Sequence, residues 1–424
     1  MDLKNRNRAI NIRYATAVLL IFLATTGFPS FLQFKALQPL LIPFLWYRYS
    51  LLHREVPKGV KYLLVVIALY VILQFGAGHL SIFGSMSIML SMITLAYSAL
   101  VCKDTFVEAF VRLMKFFSYI AVPLWLLIAI VPTLHTTLMN IGAMLPQLMT
   151  DTWLDNTSNY GVSFYVYFLS SGITSSYTSF LRNCGPFYEP GLYASYLTIA
   201  LVFNLHYNRK LLHKGNLILI AALLTTLSSA GYVSLALVVL YSMLFSKKLI
   251  NKLISLSVII LLWQPMLNSD IVSTKISENF DNASMSTASR FGAVMYHIEK
   301  IQLSPFIGYA GSKPPATDFD RYLGMTDSER VLSPNGLSYS FVYWGIPLAI
   351  IFYILLFKGI KQLLRCDISR IELWMVFIII LSAAFSQTIT TEPVFMLIAI
   401  ISITRISNVK STTKSSRNPY LFLS

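Results

Sequence analysis

Arg182-Asn183-Cys184-Gly185-Pro186-Phe187-Tyr188-Glu189-Pro190-Gly191 closes a polar stretch and runs straight into Leu192-Tyr193-Ala194-Ser195-Tyr196-Leu197-Thr198-Ile199-Ala200-Leu201. Gly185-Pro186 reads as a turn, and Pro190 suits the first turn of a helix, where its missing N–H has no partner to lose. The apolar run that follows reads as a membrane span, so this stretch marks where a loop ends and a crossing begins. An arginine and a glutamate seven residues apart at such a mouth are costly to bury and easy to leave out. Their retention beside a sharp backbone turn makes the stretch a candidate site.

Outward from this mouth the chain is apolar almost throughout. Of its 424 residues 56% are hydrophobic and 12% charged, against about 25% charged in a soluble domain; the mean hydropathy is +0.65. This composition predicts an all-α polytopic membrane protein of about 12 transmembrane helices. The apolar stretches lie at 14–31, 36–52, 60–77, 80–101, 116–133, 190–207, 216–230, 231–246, 250–266, 336–357, 371–388 and 392–405. The pair on either side of Ser229-Ala230-Gly231 is short enough to be tilted or re-entrant. With a cytoplasmic N-terminus, the inner segments 1–13, 47–61, 103–115, 207–214, 247–252, 358–370 and 404–424 hold 25 of the 33 Lys and Arg residues. The outer side holds the other 8, with 12 of the 18 acidic residues. The net charge of +15 is therefore a positive-inside signal rather than a nucleic-acid footprint. The expected order is five spans in 1–133, an outer loop at 134–189, four spans in 190–266, a second outer loop at 267–335, three spans in 336–405 and a cytoplasmic tail at 406–424. No cleavable signal peptide is evident. Cys102, Cys184 and Cys366 form neither a redox pair nor a zinc pattern, and Cys184 stands alone on the outer side, so no disulfide is expected.

Every inner loop is short, and the spans are almost free of charge. A transporter spreads polar residues through its helices at mid-membrane; here the chemistry-capable residues crowd into the two outer loops. There is no P-loop and no soluble nucleotide-binding domain, so a reaction at the outer face would draw its energy from its substrate. In the first loop, 162–169 and 173–180 are rich in aromatic and β-branched residues around Ser170-Ser171-Gly172, which predicts a β-hairpin delivering Arg182 to the surface. In the second loop, Phe291, Val294, Met295, Ile298 and Ile301 recur at helical spacing. They predict an amphipathic helix lying on the membrane or the bundle, with Arg290, His297 and Lys300 on its polar edge.

Arg-Asn-x-Gly-x-Phe-x-Glu-Pro-Gly at 182–191 resembles the polysaccharide-polymerase family, the Wzy-type O-antigen polymerases. Three further stretches fit: the Ser/Thr-Gly break at Thr225-Thr226-Leu227-Ser228-Ser229-Ala230-Gly231-Tyr232; Ser289-Arg290-Phe291 followed by Ser304-Pro305-Phe306-Ile307-Gly308-Tyr309-Ala310-Gly311; and Ser333-Pro334-Asn335-Gly336-Leu337 with Gly345 downstream. The resemblance covers roughly 180–350 by motif and the remainder by hydropathy alone. In the related O-antigen ligases and many polymerases a His precedes the Asn of the last motif; here that position is Pro334, so no His base is carried over to it. The resemblance implies a GT-C-like, metal-independent glycosyltransferase of the bacterial inner membrane, with both termini cytoplasmic, the active site facing the periplasm and no cofactor. Its donor would be a polymer on undecaprenyl diphosphate and its acceptor one lipid-linked repeat unit. Membrane lipids and a chain-length regulator would be its other partners, with no nucleic acid.

On their own chemistry, Arg182 and Arg290 suit a diphosphate, because a guanidinium stays charged and binds phosphate oxygens in pairs. Each could instead pair with a loop carboxylate or anchor to headgroups. Glu189 could orient or deprotonate an acceptor hydroxyl, cap the helix it precedes, or pair with Arg182. His297 is the other candidate base, and Lys300 and Tyr188 join the substrate-binding set. Asn335 would either bind sugar or phosphate or cap the following helix. His79 and His135 are outer but have no partners near them in sequence. Asp318-Phe319-Asp320 has the form of a metal clamp but reads as a solvated turn, and Tyr232 and Trp344 read as belt or packing aromatics. A glycan ligase of the same architecture and a lipid-linked oligosaccharide flippase are the competing functions.

Overall fold

A computed structural model describes residues 3–52, 55–144, 161–169, 181–246, 290–315, 335–364, 368–385 and 387–404, with Lys252 and Ser257. Among these the chain is mostly helical, with thirteen α-helices. They are α1 (Leu3–Gly27), α2 (Ile42–Leu52), α3 (Lys58–Gly76), α4 (Ile82–Cys102), α5 (Phe106–Ile130), α6 (Pro132–Met144), α7 (Pro190–Asn208), α8 (Lys214–Thr225), α9 (Ser229–Phe245), α10 (Arg290–Leu303), α11 (Gly336–Leu364), α12 (Arg370–Phe385) and α13 (Pro393–Ile401). A 3₁₀ stretch, Pro29–Leu41, joins α1 to α2.

Among the described residues five helices are long and apolar enough to cross a membrane: Asn7–Gly27 of α1, and α3, α4, α5 and α11. The expected twelve crossings do not appear as twelve full-length helices among the described residues. At about 1.5 Å per residue, the 12 residues of α8 reach roughly 18 Å and the 17 of α9 roughly 25 Å, short of a ~30 Å hydrocarbon core. The expected span at 250–266 lies outside the described residues, apart from Lys252 and Ser257.

The α7 helix sits at the centre. Every residue from Pro190 to His206 is buried, and α5, α8, α9 and α12 surround it. A helix enclosed on all sides needs apolar bulk all round, with its few polar groups bonded. Ser195 Oγ accordingly donates to Ala383 O at 3.0 Å, and Asn204 Nδ2 to Asn216 Oδ1 at 2.7 Å.

The expected hairpin is corrected. The segment 162–169 is not one strand awaiting 173–180, which lies outside the described residues. It folds back on itself, Val162–Ser163 (β1) pairing antiparallel with Phe168–Leu169 (β2). The turn between them closes through Phe164 N to Tyr167 O at 2.8 Å, with Tyr165 at φ +62°. The pair still serves the mouth, since Phe168 N donates to Gly185 O at 2.6 Å.

α11 is broken at Gly345 (φ +75°), two residues before Pro347. Pro347 has no N–H for Tyr343 O, and Ile346 N turns outward to Pro305 O at 2.7 Å. The freed carbonyls are met from the 305–310 segment: Tyr309 N donates to Val342 O and Ala310 N to Tyr343 O, both at 2.9 Å. Gly308 (φ +62°) faces the break so closely that a Cβ there would lie 2.5 Å from both Gly345 N and Val342 O. Gln74 reaches in from α3 to bond Ile307 O. Broken backbone at membrane depth is tolerated where protein groups satisfy it, and this junction does so completely enough to lock α10 and its following loop onto α11.

Candidate functional site

The mouth stretch is built onto the break between α8 and α9. Asn183 N donates to Thr225 O at 3.0 Å, and its side chain donates to Thr225 Oγ1 at 2.8 Å and accepts from Gly185 N at 2.9 Å. Fully buried Asn183 is thus the bracket that fixes the loop. Gly185 takes φ +54°, and a Cβ there would strike the Tyr193 ring at 2.6 Å. Phe187 fills the core between Tyr193, Tyr196 and Phe28. The Tyr188 amide is anchored to Gly27 O at 3.0 Å. Trp125 Nε1 donates to Leu181 O at 2.6 Å, holding the approach to Arg182.

Arg182 is half-buried. Its Nε donates to Thr226 O at 3.2 Å, and its two terminal nitrogens have no hydrogen-bond partner among the described residues. Burial pushes its pKa below the ordinary arginine value, opposed by Cys184, Glu189 and Tyr232. Arginine nevertheless stays protonated, so the fold holds a partly desolvated cation whose fork is uncommitted. The neighbouring Cys184 thiol is pushed up to about 12, chiefly by burial, and is inert.

Glu189 occupies the N-cap position of α7, yet its side chain makes no cap hydrogen bond. Nor does it form an ion pair with Arg182, although the two attract electrostatically. Its Oε1 instead accepts from Gln387 Nε2 at 2.8 Å. Both structural roles open to Glu189 in the sequence are therefore unfilled. Gly191 is the reason this geometry fits, because a Cβ there would lie 2.4 Å from Gln387 Nε2.

Gln387 joins this mouth to the start of α11. Its backbone O would lie 2.1 Å from a Cβ at Gly336, and Thr390 Oγ1 donates to Gly336 O at 2.7 Å. Asn335 fills its capping role, its Oδ1 accepting from Leu337 N at 3.1 Å and Ser338 N at 3.2 Å. Glu392 opens α13 in the same way as Glu189 opens α7: a Glu-Pro step with no cap bond. One Glu392 oxygen lies 3.6 Å from Lys35 Nζ; the other is buried without a hydrogen-bond partner among the described residues. The N-terminal ends of α7, α9, α11 and α13 thus gather at one end of the bundle, where their partial positive charges favour an anion.

α10 keeps its two faces, with the polar edge turned inward. Met295 and Ile298 are exposed, whereas His297 and Lys300 are buried. His297 Nδ1 bonds Ser338 Oγ at 2.7 Å, and burial drives its pKa down to about 3, which makes it a weak base at neutral pH. Lys300 Nζ donates to Pro315 O at 3.2 Å, lies 3.7 Å from Glu299 and sits over the Tyr296 ring. It is turned toward Pro315. Arg290 opens α10, and its side chain lies outside the described residues. His297 meets Ser338 while Pro305 meets Ile346, so α10 runs parallel to α11. Arg290 is thereby roughly 10 Å before His297 along the helix, on the side where α11 begins.

Sequence reasoning missed Gln387, Ser338 and Glu392. The repeated Glu-Pro step at 189–190 and 392–393 is the signal that would have found Glu392. His79 stacks near Tyr309, with ring centroids 5.1 Å apart. Asp318 and Asp320 lie outside the described residues. No group of three His, Cys, Asp or Glu side chains that could hold a metal ion occurs among the described residues. Compared with protein-family models, curated proteins and solved structures, the chain matches none.

Proposed function

We propose that the chain is an oligosaccharide repeat-unit polymerase, a glycosyltransferase that joins undecaprenyl-diphosphate-linked saccharides at the outer face of a bacterial inner membrane. The reading includes a GT-C-like base of about twelve crossings, some made by short helices, with both termini cytoplasmic. One observation carries it: Arg182 is a half-buried cation whose two terminal nitrogens have no hydrogen-bond partner among the described residues. It stands beside a carboxylate that neither caps nor pairs. An anionic leaving group and an acceptor hydroxyl would complete such a pair.

In the reaction, an acceptor hydroxyl oxygen forms a bond to the donor's anomeric carbon. The bond from that carbon to the diphosphate oxygen breaks, its electron pair leaving with the diphosphate. Arg182, with Arg290 joining from α10, meets the charge that develops there; helix N-termini add to it without reorganising. Glu189 accepts the hydroxyl proton, and Gln387 fixes which carboxylate oxygen is turned away from that role. Asn183, Gly185 and Asn335 hold backbone in place.

The test is the surface polysaccharide of a deletion strain, resolved on a gel. Loss of the chain leaves carrier or core bearing a single repeat unit, and complementation restores the ladder. Complete absence of capped core on deletion would indicate a ligase or flippase instead and defeat the proposal.

A further inference from the structure

The turn between α7 and α8 lies at the end of the bundle opposite the mouth, and hydrogen bonds fix its shape. Arg209 ends α7 in the αL conformation. His213 N donates to Lys210 O at 3.3 Å, and Asn216 Nδ2 donates to the same oxygen at 2.7 Å. His213 Nδ1 caps α8 by accepting from Gly215 N at 3.2 Å. Three lysines gather around this ring: its pKa is lowered by burial first and then by Lys115, Lys210 and Lys214. Half-buried Lys115 reaches the turn from α5, and Gly215 makes room for it, since a Cβ there would strike the Lys115 ammonium.

Three ammonium groups thus meet beside the positive end of α8, where like charges repel unless an anion joins them. Lys210 and Lys214 make no ion pair among the described residues. Glu108, two turns before Lys115 on α5, already serves Arg112 at 2.6 Å and Arg8 at 3.0 Å. The surroundings narrow the anion. Phe116 and Tyr119 follow Lys115 on α5, Leu212 and Leu217 flank the lysines of the turn, and all four are exposed. A free phosphate would meet the ammonium groups and leave this apolar rim uncovered. A phospholipid meets both, with its phosphate on the lysines and its acyl chains along the rim. Basic recesses between membrane helices suit anionic headgroups in this way. A choline or ethanolamine headgroup would bring another cation to the cluster.

We propose that the junction of α5 with the α7–α8 turn is a binding site for one anionic phospholipid, its phosphate held by Lys115, Lys210 and Lys214. The site is separate from the mouth and does not rest on the polymerase reading.

The test uses the full chain, purified in a neutral detergent and titrated with phosphatidylglycerol, cardiolipin or phosphatidylcholine, with retained lipids counted by native mass spectrometry. One phosphatidylglycerol or cardiolipin molecule should bind about tenfold more tightly than phosphatidylcholine. Lys210→Gln combined with Lys214→Gln, both exposed, should weaken that molecule about tenfold at an unchanged thermal midpoint. Lys58→Gln combined with Lys61→Gln is the control. These lysines are also exposed and lie at the same end, where α3 begins beside the C-terminal end of α13, and their loss should leave binding unaltered. Equal retention of phosphatidylcholine, or an equal loss in both double variants, would reduce the effect to general surface charge and overturn the site. Inorganic phosphate or glycerophosphoglycerol at millimolar concentration should not displace the lipid; displacement by either would make this a site for a free phosphate and overturn the lipid assignment. Lys115→Gln should abolish the preference, and if that variant does not fold, the two turn lysines still decide.

Discussion

The two ends of α7 both carry an arginine and a glutamate, and they use them in opposite ways. At the C-terminal end, one oxygen of Glu372 accepts from Arg209, from Tyr241 Oη at 2.6 Å and from His206 Nδ1 at 3.0 Å. Arg209 itself is the αL residue that ends the helix, at φ +54°. At the N-terminal end, Glu189 accepts from Gln387, and Arg182 spends only its Nε on Thr226 O. The first group is closed, each donor aimed at one acceptor. The second holds its two charges apart and leaves the terminal nitrogens of Arg182 without a hydrogen bond among the described residues. A buried charge is retained either because the fold completes it or because a ligand does; the C-terminal end of α7 shows the first case, and we propose the second for its N-terminal end.

The largest expected effect lies at the closed end. Glu372→Ala leaves the buried Tyr241 Oη and His206 Nδ1 without their shared acceptor, at about 1–3 kcal/mol each, while Arg209, more than a third exposed, loses its counter-charge at smaller cost. The membrane fraction should hold much less full-length protein, with polymer falling in proportion. If Glu372→Ala protein accumulates normally with an unchanged thermal midpoint, the closed network is not structural and the comparison collapses.

At the open end the sign of the result changes. Arg182→Ala should lower the rate of polymer formation about 100-fold, the worth of one or two charge-assisted bonds to an anion. Its stability should move by no more than about 1 kcal/mol, because only the bond to Thr226 O is lost. Arg182→Lys keeps the charge but loses the fork, and should recover part of the rate. Rates in detergent with purified lipid-linked substrate, set against thermal midpoints, separate the two quantities. A variant that unfolds, or one that polymerises normally, would place Arg182 with the structural charges.

Much of this arrangement was legible in the residues, and the failures are physical. Pro190-Gly191 marked the start of α7 because few other steps open a helix so cleanly. The Ser/Thr-Gly break and the Gly345 position pointed to non-helical backbone, although not to the docking of Gly308 against it, which is a contact between distant segments. Periodicity found α10 and its two faces, but left open which face meets the bundle. Beside lipid, an apolar side chain gains as much by facing outward, and the polar edge is free to turn in. The hairpin failed because residue type does not report that Tyr165 reverses the chain. Gln387 was hidden inside an apparent span at 371–388, where a single glutamine barely changes hydropathy. The Arg182–Glu189 pair was legible as charge, but that the two would stand apart was not.

Each end of α7 is also linked to a buried histidine, His206 on the helix itself and His297 through Ser338, Gly336 and Gln387, and this gives the finest test of the contrast. His206 sits against the Glu372 carboxylate, whereas His297 has only Ser338 Oγ and its ring neighbours. Burial holds His297 at about 3 against an ordinary 6.5. Above pH 6.5 the imidazole is neutral whether α10 is docked or open, so pH has no leverage through it. Below 6.5 the open form takes up a proton that the docked form refuses, and docking weakens steadily until pH 3. At pH 5 the loss is about 2 kcal/mol. It should appear as faster amide exchange confined to α10 on going from pH 7 to pH 5, after correction for the intrinsic rate. His297→Asn, which cannot titrate, should abolish the difference. Exchange that stays equally slow at both pH values in the wild-type protein would mean that the imidazole accepts its proton in place, and that the open end of α7 is less open than its hydrogen bonds imply.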